Sequence, residues 1–108
     1  MSDVFKALAD PTRREILLII AEEHKSINAL AERFSMSRTA VAKHIKILEA
    51  SKLTRIEQDK HDGRQRNCFA QLEALEEVND YLKKLEGFWN DKLDGLSGYL
   101  SRVKGDPT

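Results

Sequence analysis

The chain has 108 residues, with 18 Lys and Arg against 18 Asp and Glu, so the formal net charge is zero although 33% of the residues are charged. That length suits one domain, with at most an appended element, and 41% apolar residues with only 6% aromatic point to an aliphatic core. A single cysteine excludes an intrachain disulfide framework, and the longest apolar run, Ile16 to Ala21, is too short for a bilayer. The opening Met1-Ser2-Asp3-Val4-Phe5-Lys6 lacks the basic and apolar regions of a signal peptide, so a cytoplasmic location without membrane partners is expected.

Val4 to Ala9 reads as an amphipathic turn or two, because Pro11 interrupts any continuation. Asp10-Pro11 then starts a helix: the carboxylate caps free N–H groups, and proline at the first helical position loses no needed donor. Ile16, Leu17, Ile20 and Ala21 give that helix its apolar stripe. Ser26 caps a short helix carrying Ile27, Leu30, Ala31 and Phe34, and Ser37 caps the next one, which begins at Arg38. In this helix Val41, Ile45 and Leu48 share one face, with Ala40, His44 and Ile47 at its edge. Arg38, Thr39, Ala42, Lys43 and Lys46 lie opposite. Two short helices joined by a tight turn, the second with basic and small residues outward, make a helix-turn-helix pattern.

Thr54 to Gln58 and Gln65 to Ala70 are β-compatible segments, and the Asp62-Gly63 pair between them suits a tight hairpin turn. A hairpin in this place is a wing, with Lys60, His61, Arg64 and Arg66 around its tip. From Leu75 to Val103 a long helix is predicted. Its apolar seam (Leu75, Val78, Leu82, Leu85, Trp89, Leu93, Leu96, Leu100 and Val103) recurs at spacings of three and four. At about 1.5 Å per residue such a helix is roughly 40 Å long, and each of Gly87, Gly95 and Gly98 weakens it by roughly 1 kcal/mol. So small a domain cannot cover the whole seam, and a second copy of the chain is the expected cover. Lys104 to Thr108 reads as a frayed tail. The expected fold class is mostly α with a small β-hairpin, a winged helix-turn-helix over residues 1–74. A dimerisation helix over residues 75–104 is expected to pack with the N-terminal helix as one integrated domain.

Segment charges change the meaning of neutrality. Residues 1–36 sum to −1, residues 37–66 to +4 and residues 67–108 to −3. The excess of positive charge therefore coincides with the second helix of the motif and the wing.

Three motifs in order resemble the ArsR/SmtB-type bacterial winged-helix repressors. Val4 to Leu17, with its Asp10-Pro11-Thr12-Arg13-Arg14, is similar to their opening; Ser37 to Leu48 is similar to their recognition helix; Asp62-Gly63-Arg64-Gln65-Arg66 resembles their wing. Tyr81-Leu82 and Phe88-Trp89-Asn90-Asp91-Lys92-Leu93 resemble a subgroup with an extended last helix. The resemblance implies an operator-binding repressor and a homodimer joined by its first and last helices. Family members often sense metals through a Cys-x-Cys pair before the recognition helix, but here Ile27-Asn28-Ala29-Leu30-Ala31 holds no thiolate. Others use Asp and His on the last helix, and residues 71–108 contain no histidine. Neither metal site is carried over, and no cofactor is expected.

On this reading Ser37, Arg38, Thr39, Lys43, Lys46, Lys60, Arg64 and Arg66 contact double-stranded DNA, with strand alternation deciding which way Arg66 points. Val4, Phe5, Leu8, Leu82, Leu85, Trp89, Leu93 and Leu96 form the dimer interface. His44 is expected to be packed and hydrogen-bonded rather than a base contact, Cys68 a buried small residue, and Asp10, Arg13 and Arg14 a helix cap and surface or interface charges. His24, His61 and Cys68 lack metal-ligand spacing. No phosphate loop, nucleophile elbow or zinc-protease motif occurs, so an enzyme is not expected. Two other readings are a protein-binding winged helix and a metal sensor with an unfamiliar site. A small-molecule or protein effector is left open.

Overall fold

The computed structural model describes residues 3–104, with side chains as far as Lys92. Each short helix starts where a side-chain oxygen meets its free N–H groups. Asp3 accepts from Phe5 N at 2.8 Å and opens α1 (Val4–Leu8). Asp10 accepts from Arg13 N at 3.0 Å and opens α2 (Pro11–Glu22). Ser26 Oγ accepts from Ala29 N at 3.0 Å for α3 (Ile27–Glu32), and Ser37 Oγ from Ala40 N at 3.1 Å for α4 (Arg38–Ala50). The last three are the starts the sequence predicts.

Strands β2 (Thr54–Gln58) and β3 (Arg66–Ala70) pair antiparallel, with Ile56 opposite Cys68 and Gln58 opposite Arg66. A third strand, β1 (Lys25–Ser26), pairs with β3, so the expected hairpin is a three-stranded sheet in the order β1-β3-β2. Two residues are too few for an alternation pattern to show in sequence. A 3₁₀ turn at Leu72–Ala74 leads into α5 (Leu75–Lys104). Contacts divide the chain into a unit ending at Glu76 and a second beginning at Glu77.

In the first unit the core gathers one face of each helix. Ile16, Leu30, Val41, Ile45, Leu48, Leu53 and Cys68 are fully buried, each large aliphatic side chain among them stabilising by about 1.5–3 kcal/mol. Burial, with the nearby Glu49 carboxylate adding to it, pushes the Cys68 thiol up to about 11, so it stays protonated at neutral pH. The expected buried row of α4 is thus in place. Ile47 is 43% exposed, further out than its edge position suggests, and Ala42 is half-buried rather than outward.

Helix α4 ends in a Schellman motif: Leu53 N donates to Leu48 O and Lys52 N to Glu49 O, both at 3.0 Å. The motif puts Lys52 at φ 65°, the left-handed region where a Cβ is penalised. Lys52→Gly removes that penalty of roughly 1–2 kcal/mol and adds about 0.5–1 kcal/mol of unfolded-state entropy. A net gain of about 0.5–1 kcal/mol is expected. The urea midpoint should rise with an unchanged m-value, and a fall would contradict the motif.

Candidate nucleic-acid interface

The wing is built by aspartates rather than by its glycine. Asp59 accepts from His61 N at 2.7 Å, Asp62 N at 3.0 Å and the Asn67 amide at 3.1 Å, and its own N–H donates to Gln65 O at 2.8 Å. Asp62 O accepts from Gln65 N at 3.0 Å, which closes the tip around Gly63 and Arg64. The loop between the strands therefore runs over residues 59–65, one residue longer than the expected 59–64, and is organised by the aspartates rather than by the Asp62-Gly63 pair. Gly63 does not take the positive φ that a type I′ turn demands.

The hydrogen bond from His61 N, with those from Asn67 and Asp62 behind it, lowers the Asp59 pKa below 3.8. A carboxylate depressed in the folded state stabilises above its unfolded value and loses that contribution as pH falls through the folded one. An NMR titration is therefore expected to show the His61 and Asp62 amide resonances shifting together with a midpoint below 3.8. A midpoint at or above that value would show that the carboxylate does not organise the tip. These acids work within the loop, while Lys60 and Arg64 stay exposed, Arg64 with 99% of its side chain in solvent and Asp62 at 3.9 Å.

On α4, Ser37, Arg38, Thr39, Lys43 and Lys46 are all exposed. Ser37 is occupied as the cap, and Arg38 Nε donates to Asn28 Oδ1 of α3, tying the two helices of the motif together. The side chains of Lys43, Lys46, Lys60 and Arg66 have no ion pair or hydrogen bond with any described residue. Strand alternation settles the direction of Arg66. It shares the face of β3 with Cys68, so it points toward α4 and lines, with Lys46, Glu49 and Ala42, a hollow of about 400 Å³.

His44 is packed, as expected, but its partners come from outside its helix. Arg13 Nη1 lies 3.2 Å from His44 Nδ1, and Asp10 Oδ2 3.9 Å from the same atom. Arg13 also donates to Ala7 O at 2.7 Å and Lys6 O at 3.1 Å, and Arg14 to Leu8 O at 2.7 Å. The two arginines satisfy the open carbonyls at the end of α1, a role the sequence reading assigned to neither. The signal was available: a helix cut short by Asp10-Pro11 leaves carbonyls that need donors. On the outer face of the sheet, Arg55 sits 4.5 Å over the Phe69 ring and His24 stacks on that ring at 4.5 Å. This row joins β2, β3 and the residue that precedes β1, and was also unforeseen.

The predicted interface residues divide by unit. Val4 is buried within its own unit and serves the core, Leu8 is half-buried and Phe5 is 36% exposed. Leu8, Leu17, Leu18, Leu72 and Leu75, with Arg14 at the edge, line an apolar groove of about 440 Å³. On α5, Leu82, Leu85 and Trp89 are 49%, 46% and 62% exposed, and Phe88, absent from the predicted set, is 72% exposed. These four line a hollow of about 490 Å³ that one helix face cannot enclose. Leu93 and Leu96 lie outside the residues whose side chains are described. Among the described residues no group of three or more His, Cys, Asp or Glu is placed to hold a metal ion, and no helix is long and apolar enough to cross a membrane.

A family model described as a helix-turn-helix domain matches residues 8–57. The chain is 36% identical over 53 residues to the transcriptional repressor SdpR of Bacillus subtilis, a match covering 49% of this chain and 59% of that protein. It is 35% identical over 57 residues to the HTH-type transcriptional regulator KmtR of Mycobacterium tuberculosis, covering 53% of this chain and 44% of that protein. The chain thus spans about half the length of the curated relatives it matches. A solved ArsR family transcriptional regulator is 34% identical with a TM-score of 0.71, over 80% of this chain and 86% of that one. The chain belongs to the ArsR family of transcriptional regulators. An ArsR-like transcriptional regulator from Rhodococcus sp. RHA1 agrees, at 30% identity and a TM-score of 0.72 over 92% of this chain and 88% of that one. The matched helix-turn-helix region runs from the end of α1 into β2, so within this ArsR-family chain it contains the capped motif and the Arg13–His44 contact. Family and fold are those of regulators and not of enzymes.

Proposed function

We propose that this ArsR-family chain is a cytoplasmic transcriptional repressor that binds an inverted-repeat DNA operator as a homodimer. The observation that carries the reading is the set of exposed side chains on α4 and the wing without a partner among the described residues: Lys43, Lys46, Lys60 and Arg66. A cation that no protein carboxylate neutralises is available for a phosphate or a guanine edge. Arg38, Thr39 and Arg64 extend the same surface, and Ser37 fixes where α4 begins.

In this reading residues 1–74 contact DNA and residues 75–104 provide the dimer helix. The apolar face of α5, with Phe5 and Leu8 of α1, joins the two copies, which brings two α4 helices to successive major grooves about one helical turn apart. Neutral total charge does not oppose this, because the acidic segment belongs to the dimer helix. A small-molecule or protein effector would act on this dimer.

Selection of bound fragments from a random DNA pool tests the proposal. An enriched inverted repeat whose binding falls steeply with added salt is the expected result. No retardation of any fragment at low salt would refute it and favour a protein-binding winged helix.

A further inference from the structure

We infer that His44 is a DNA-contacting residue, donating a hydrogen bond from Nε2 to a backbone phosphate, and that Arg13 is the positioning residue that fixes its tautomer. The inference rests on the proposed DNA-binding function and adds a residue pair to it.

A guanidinium has donors only. With Arg13 Nη1 3.2 Å from His44 Nδ1, that nitrogen must accept, and the proton of the neutral ring is then on Nε2. Asp10 Oδ2, the other charged group facing the ring, lies at 3.9 Å, beyond hydrogen-bond reach, and leaves the guanidinium as the partner of Nδ1. Arg13 is itself held by the Lys6 and Ala7 carbonyls, so it is a fixed donor.

Nε2 has no hydrogen bond to any described residue. It is not sealed in the interior either, because Thr54 Oγ1 is the one buried side-chain nitrogen or oxygen without a partner among the described residues. The ring therefore presents an oriented N–H to solvent, with 22% of the side chain exposed.

The position selects phosphate over base. His44 lies on the flank of α4, beside the N-terminal turn of α2 and next to Lys43, between the buried row and the outward row. Outward residues of a recognition helix face the floor of the groove, where base edges are. A residue on its flank is turned toward the wall of the groove, where phosphates run.

Side-chain mimics separate the two nitrogens. Gln reaches the Nε2 position with an N–H, whereas Asn reaches only the Nδ1 position. On the DNA selected above, His44→Gln should bind within about threefold of the parent, while His44→Asn and His44→Ala should bind about tenfold weaker or more. Because the donor is neutral, the salt slope should stay unchanged in all three, unlike that of Lys43→Ala. In the unaltered protein, ¹⁵N NMR of the imidazole should show Nε2 protonated and Nδ1 bare, and Arg13→Gln should mix the tautomers. Equal affinity for Asn, Ala and parent, or a Nδ1-protonated ring, overturns the inference while leaving DNA binding intact. Should the variants unfold, a methylphosphonate scan of the DNA with the unaltered protein replaces them, and no sensitive phosphate flanking the half-site would overturn it. Absence of DNA binding by the parent would instead overturn the proposed function.

Discussion

Replacing Arg38 and Lys43 together with Ala is expected to weaken operator binding by about 10²-fold or more, at roughly 1 kcal/mol or more for each lost contact. Both groups are exposed on the outer face of α4, and the buried row beneath them is untouched. Two cations per protomer are four per dimer, so the slope of log affinity against log salt should fall by roughly 3–4. The thermal transition should move little, since the Arg38–Asn28 contact is at the surface and such bonds contribute about 1 kcal/mol or less. Gel shift and circular dichroism measure the two properties separately. Unchanged affinity in a folded double variant would remove α4 from its role as the recognition helix.

The second large effect is expected on α5. Leu85→Asp combined with Trp89→Asp should convert the proposed dimer to monomers at micromolar concentration, read by sedimentation equilibrium. Leu85 is 46% and Trp89 62% exposed, so neither is needed to complete a core within the described chain. Each such side chain contributes about 1.5–3 kcal/mol when buried, and a two-fold interface counts it twice. Operator affinity should fall with the dimer, because two joined half-sites bind far more tightly than two separate ones. A variant that remains dimeric would move the interface away from this face.

Local chemistry explains which elements were readable. Asp10, Ser26 and Ser37 each satisfy N–H groups within three residues, so their helix starts needed no knowledge of the rest of the chain. Val41, Ile45 and Leu48 are spaced to one face, and that face is the buried one. The two-residue strand β1 and the aspartate-built wing were not readable in the same way. Pairing of Lys25 with Cys68 depends on a segment more than forty residues away, and the turn signal Asp62-Gly63 was outweighed by three hydrogen bonds to Asp59.

The proposed DNA-contact set divides in the same way. Lys43 and Lys46 were identifiable from helical phase alone, because a residue opposite a buried row is outward. Arg66 required the strand register that places it on the Cys68 face. Arg13 and His44 lie thirty-one positions apart, and no periodicity links them.

By itself the sequence determined the order of elements, the caps that start the helices, the basic middle segment and the apolar seam of the last helix. These depend on contacts within a few residues or on a repeating period. Only the tertiary structure decided that Arg13 closes α1 and reaches His44, and that Arg66 turns toward α4. A guanidinium can serve any nearby acceptor, and folding brings one particular set within about 3 Å of it.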